Sequence, residues 1–167
     1  MTSSGPTALD DLTAYDARAL LLSCADVPRW ADELVAARPL GSVDTVLAEA
    51  DRRARGWTDE EVATALADHP RIGERHAGAG ASADHSAREQ AGVDPADAEV
   101  ARRLAEGNAA YEQRFDRVFL VRAAGRDAAE ILGLLEQRLT HDDATERAVV
   151  RDQLREIALL RLQGALT

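Results

Sequence analysis

The run His69-Pro70-Arg71-Ile72-Gly73-Glu74 puts an imidazole at the end of a helical pattern, immediately before a proline and a glycine-rich loop. Proline drives the residue before it away from helical dihedrals, so the His69 ring is expected to leave the helix end and face a cleft. Histidine has the unperturbed pKa nearest neutrality, which suits it to general acid or base work. The same placement suits a surface histidine capping a helix C-terminus, and the local sequence leaves both roles open. Arg161 is the second candidate. At about 100° per residue, Val150, Leu154, Ile157 and Ala158 form one apolar stripe, and Arg161 falls near its middle. A guanidinium there needs a carboxylate of the protein, a hydrated pocket, or an anionic ligand matched to its fork.

Glu89-Gln90 follows the glycine-rich stretch, and Ser86 precedes Glu89 by three residues, so Ser86 and Glu89 can share one helical face. A Glu-Gln pair is also common on a solvated face. His85 and Glu89 stand at i, i+4, and with His69 they could be drawn as the metal site of a hydrolase. There is no His-Glu-x-x-His motif and no second clear pair, so no metal is expected.

The inventory narrows the chemistry further. The chain has 167 residues and no lysine; all 20 basic residues are arginine. An imine to a lysine is impossible, which excludes covalent pyridoxal phosphate. The single cysteine, Cys24, excludes an internal disulfide and a cysteine-rich zinc site. A net charge of −10 disfavours nucleic acid and anionic membrane as partners. No apolar run approaches the roughly 20 residues that span a bilayer, and the N-terminus lacks a signal-peptide pattern. A cytoplasmic protein is expected.

The elements that must position these residues read as helices. Apolar residues make up 46% of the chain and aromatics only 4%, so the core rests on Leu, Val, Ile and Ala, a composition that favours helix. Residues 1–7 read as a flexible tail and 8–167 as a single compact all-α domain of about eight helices. A first helix covers Leu12–Cys24. A second starts at Pro28 and is stopped by Pro39. Ser42 caps a third, ending near Gly56. Thr58-Asp59-Glu60-Glu61 is a capping box for a fourth that ends at His69-Pro70. After a loop over 70–82, Ser82 or Asp84 caps a short helix reaching Ala91. A long helix runs from about Pro95 to Phe115, and two more cover Ala128–Leu139 and Ala144–Ala165. Between them Val118-Phe119-Leu120-Val121 reads as a strand or a buried extended segment ended by Gly125. Asn108, Tyr111 and Phe115 share one face of the long helix, the aromatics as core and Asn108 as a buried polar group.

These motifs, in this order, resemble the family of 2-oxo-4-hydroxy-4-carboxy-5-ureidoimidazoline (OHCU) decarboxylases of urate degradation. The likeness covers nearly the whole chain. It rests on Trp30 with Arg38-Pro39, the His69-Pro70-Arg71-Ile72-Gly73 block, and Ser86-x-x-Glu89-Gln90. Asn108-x-x-Tyr111-x-x-x-Phe115 and Arg161-Leu162 complete it. The resemblance implies an all-helical lyase without a cofactor that converts a small anionic ureide, OHCU, to (S)-allantoin and carbon dioxide. It implies His69 as catalytic acid/base, with Glu89 acting beside it. Glu89 and Arg161 hold the substrate, Pro70, Ser86 and Gln90 line the pocket, and Leu120, Val121, Arg122, Ala123 and Ala124 offer backbone groups. It also implies a homodimer. The chain departs from the family's usual pattern at Asp116, where glycine is usual, and at Arg122, where a small or apolar residue is usual. A non-catalytic helical binding or adaptor protein is the alternative, and it predicts Arg161 paired inside the protein.

Overall fold

A computed structural model of the chain describes residues 7–67, 69 and 98–167. Among these residues there are eight helices and no strand: α1 (Ala8–Asp11), α2 (Ala14–Cys24), α3 (Pro28–Ala36), α4 (Val43–Ala54), α5 (Asp59–Leu66), α6 (Ala98–Phe115), α7 (Ala128–Arg138) and α8 (Asp143–Leu166). The all-α expectation holds. No described helix is long and apolar enough to cross a membrane.

The helix starts follow from local side-chain chemistry. The first N–H groups of a helix lack intrahelical partners, and short polar side chains supply them. Ser42 Oγ accepts from Thr45 N–H at 3.1 Å, as its place in the sequence predicts. Thr58 and Glu61 form the expected reciprocal box, at 3.1 and 2.8 Å. Asp127 and Glu130 form another at the start of α7. The sequence reading starts its first helix at Leu12, whereas the chain forms the one-turn α1, breaks, and starts α2 at Ala14. Thr7, assigned from sequence to the tail, is buried and caps α1 in a box with Asp10.

The chain divides into two compact units, Met1–Ala65 with Arg155–Thr167, and Leu66–Leu154. In the first, α3 packs against both α2 and α4. Trp30 sits edge-on to Trp57, with ring centroids 5.6 Å apart, and its indole N–H donates to the Ala50 carbonyl at 3.0 Å. Arg38 ties the start of this unit together by donating to the carbonyls of Leu9 and Leu12, both at 2.8 Å.

In the second unit α6 packs against α7. Tyr111 and Phe115 of α6 and Ile131 and Leu135 of α7 form its core with Phe119 and Val121 of the connecting segment. That segment, Val118 to Ala123, has no regular structure. It is therefore the buried non-helical run of the two readings given above, and not a strand. Its apolar side chains hold it in the core, and it turns out through Ala124-Gly125. Arg126 N–H bonds the Ala123 carbonyl at 3.1 Å, and Gly125 takes a φ of 76°, which glycine adopts without a Cβ penalty.

Candidate functional site

His69 stands three residues past the last residue of α5. Its N–H bonds the Leu66 carbonyl at 3.0 Å, closing a turn; the residue is half-buried, and its Nε2 is shielded from solvent. The residue has left the helix, as a position before proline should. It is neither a freely solvated cap nor a sealed core residue. Pro70, Ser86, Glu89 and Gln90 lie outside the described residues, as do His85, the glycine-rich loop and the short helix expected after it. Among the described residues no group of three metal-ligating side chains occurs.

Arg161 is buried, 4% exposed, as its place in the apolar stripe of α8 requires. Its Nη1 donates at 3.2 Å to the carbonyl of Cys24, the last residue of α2. That carbonyl is one of the acceptors a helix end leaves without an intrahelical partner, and it lies at the negative end of the helix dipole. This bond ties the guanidinium to the end of α2.

The segment Leu120–Ala124 lies in the second unit, and its backbone is held from two sides. Arg138 Nη1 donates to the Leu120 carbonyl. Gln153 Oε1 accepts the Arg122 N–H at 2.8 Å. Between these two anchors lies Val121, itself buried, whose N–H and C=O have no hydrogen-bond partner among the described residues. More than nine in ten buried backbone groups are paired, so an unpartnered donor and acceptor on adjacent peptide planes are a departure from the usual pattern.

Arg138 is itself part of a buried network that sequence reasoning missed. Its Nε and Nη2 reach Glu146 Oε1 at 2.8 and 2.5 Å. The Tyr111 hydroxyl donates to the same oxygen at 2.5 Å, and His141 Nδ1 lies 3.0 Å from Oε2. Glu146 is fully buried. Burial, and then the bond to this carboxylate, pushes the Tyr111 hydroxyl well above its ordinary pKa, so it remains a donor. The Arg138 guanidinium also lies 4.6 Å from the centroid of the Phe119 ring. The sequence carried a signal for both charges. Glu146 stands four residues before Val150, on the same stripe as Arg161, and Arg138 stands seven residues after Ile131 on the buried face of α7.

The sequence model of the OHCU decarboxylase family matches residues 10–163. A 2-oxo-4-hydroxy-4-carboxy-5-ureidoimidazoline decarboxylase of Haloferax volcanii is 29% identical over 136 residues, which span 81% of this chain and 79% of that protein. A protein of the same name from Amia calva is 36% identical over 100 residues, 59% of this chain and 57% of that one. The fold is similar to that of an OHCU decarboxylase crystallised in the presence of (S)-allantoin. That match has a TM-score of 0.72 and 20% identity, and covers 87% of this chain and 95% of the other. It is also similar to an (S)-allantoin synthase, with a TM-score of 0.68 and 17% identity over 95% of this chain and 52% of that one.

Proposed function

This chain belongs to the OHCU decarboxylase family, and we propose that it removes carbon dioxide from OHCU to give (S)-allantoin. The family match over residues 10–163 is the observation that carries this reading. The residue inventory agrees with it. Decarboxylation needs a sink for the electron pair of the broken C–C bond, and a chain without lysine cannot build the imine that a lysine would supply. The substrate has its own sink. As the carboxylate leaves, its electron pair forms a ring C=C bond and the adjoining C=N opens, its nitrogen taking up a proton. The resulting enol then loses its hydroxyl proton, and the neighbouring carbon gains one. One proton is taken up in all, and carbon dioxide and allantoin are formed.

In this reading His69 removes the hydroxyl proton and delivers one to carbon. Its position off the end of α5, half-buried, supports that role, because a partly enclosed imidazole can exchange protons with a ligand. Glu89 fixes the ureido and ring N–H groups and so the face that is protonated. Arg161 holds the anionic end of the substrate, and its burial and its bond to the Cys24 carbonyl suit a fork set in advance. Pro70, Ser86 and Gln90 line the pocket, and Leu120, Val121, Arg122, Ala123 and Ala124 supply backbone groups. The unpartnered N–H and C=O of Val121 support that last assignment. The same reading makes the enzyme a cytoplasmic homodimer, on the support of the family resemblance and the single cysteine.

The test is chiral detection of allantoin after the protein is added to freshly generated OHCU. Excess S enantiomer over the spontaneous racemic background is the expected result. His69→Asn should lower the rate of OHCU loss by about a hundredfold or more while leaving the helical signal intact. A near wild-type rate in that variant would remove His69 from the chemistry, and racemic product at the background rate would remove the activity.

A further inference from the structure

We infer that Arg138 and Gln153 are positioning residues, which set the backbone of Leu120–Arg122 in the orientation that binds substrate. The inference rests on the proposed function, because it takes this segment to be ligand-facing. The peptide bonds on either side of Val121 are trans, since the one cis bond among the described residues is Arg38-Pro39. A trans peptide is planar, and its C=O and N–H point in opposite directions. Fixing one of the two groups therefore aims the other. Arg138 holds the Leu120 carbonyl, which aims the Val121 N–H the opposite way. Gln153 holds the Arg122 N–H, which aims the Val121 carbonyl the opposite way. One donor and one acceptor of a single residue are thus oriented by two side chains, from α7 and α8, that take the partner groups.

Arg138 is built to hold this position. Its Nε and Nη2 are engaged by Glu146, and Phe119 lies against its guanidinium, so Nη1 points to Leu120 without a search through rotamers. Glu146 is held in turn by Tyr111 and His141. A buried ion pair adds little net stability over well-packed apolar side chains. Its evident yield here is direction: it delivers a fixed donor to one carbonyl in a segment that has no ladder hydrogen bonds of its own.

Two kinds of variant separate positioning from stability. Gln153→Leu removes the acceptor from a half-buried site and strands no charge. The double variant Arg138→Met/Glu146→Gln removes the pair together, because Arg138→Met alone would leave a buried carboxylate. Steady-state kinetics with OHCU and calorimetric binding of (S)-allantoin are measured on each, with the folded fraction fixed by denaturant titration. A misaimed backbone donor and acceptor weaken substrate binding, so KM and the allantoin Kd should both rise about tenfold, with kcat per folded molecule within about twofold of wild type. A purely structural role lowers the folded fraction, and with it the apparent kcat, but leaves KM and Kd unchanged. That result in Gln153→Leu overturns the inference even if the double variant does not fold. A wild-type protein that neither turns over OHCU nor binds allantoin overturns the inference together with the reading beneath it, whereas an active wild type with unchanged KM in the variants overturns the inference alone.

Discussion

Asp116 shows how one residue can hold a strained backbone at the end of a long helix. It follows Phe115, the last residue of α6, and its N–H closes the helix on the Glu112 carbonyl at 2.9 Å. Its φ is 53°, the one positive value outside glycine among the described residues. An L-residue in the left-handed region carries a cost of about 1 kcal/mol from Cβ crowding, and Asp is among the residues that tolerate it best. The geometry is that of a glycine C-cap, which accounts for glycine being usual here in the family that the sequence resembles. Asp116→Gly should therefore raise stability by about 0.5–1 kcal/mol, read as a higher urea midpoint with an unchanged slope. A lower midpoint would mean that the Asp side chain contributes more than its backbone strain costs. At this scale the sequence was legible where a residue breaks its pattern towards a known exception. His69 before proline and Arg161 inside an apolar stripe were both visible. Glu146 was not, although it lies on the same stripe, because an acidic residue in the first turn of a helix looks like an ordinary solvated partner of the helix dipole.

The contact between α6 and α7 turns on a residue that helix propensity disfavours. Gly107 lies inside α6, where glycine costs about 1 kcal/mol relative to alanine. A Cβ built there would meet Leu135 Cδ2 at 2.5 Å and Cγ at 3.1 Å. Leu135 is fully buried in the core of the second unit, so it has little room to give. Overpacking of this kind costs roughly 1–3 kcal/mol, which outweighs the propensity gain. Gly107→Ala should thus lower stability by about 1 kcal/mol in the wild type. In a Leu135→Ala background the same change should be neutral or stabilising, and a double-mutant cycle in urea measures that reversal. A cycle with no coupling would place the close approach elsewhere. Elements were legible from sequence in proportion to their length and their caps. Ser42 and Thr58 mark starts correctly, and the segment after Phe115 reads as non-helical because its apolar residues are consecutive. The one-turn α1 was missed because four residues carry no period, and its box has Asp10 where the usual pattern has Glu or Gln.

The molecule carries a net charge of −10, and its pairing cations are arginines in a chain that has no lysine. Net charge is legible from composition, but which carboxylates are engaged is not, and the engaged ones govern the response to acid. Burial raises Glu33 and Asp51, yet bonds from arginine side chains outweigh it and hold both carboxyls below their ordinary values. Arginine bonds come first for Glu49, Glu61 and Glu99, which are lowered as well. Asp10 is held differently. Burial pushes it up, but N–H groups of Leu40, Gly41 and Thr7, at 2.9, 2.8 and 3.3 Å, bring it below 3.8. A carboxyl lowered in the folded state contributes stability above its unfolded pKa, and that contribution is lost as pH falls through the folded value. Stability should thus be insensitive to these groups above about pH 5.5 and should fall as the pH drops below about 4.5, where the unfolded chain binds protons first. Asp10→Asn isolates one term without altering an arginine pair. Its carboxamide keeps one acceptor and loses the charge, so it should cost about 1 kcal/mol at pH 7. The gap to wild type should narrow as pH is lowered past the ordinary Asp value, as wild-type Asp10 becomes protonated too. Urea midpoints at successive pH values measure the gap, and one that stays constant down to pH 3 would mean that shape, and not charge, makes Asp10 the anchor of the 40–41 backbone.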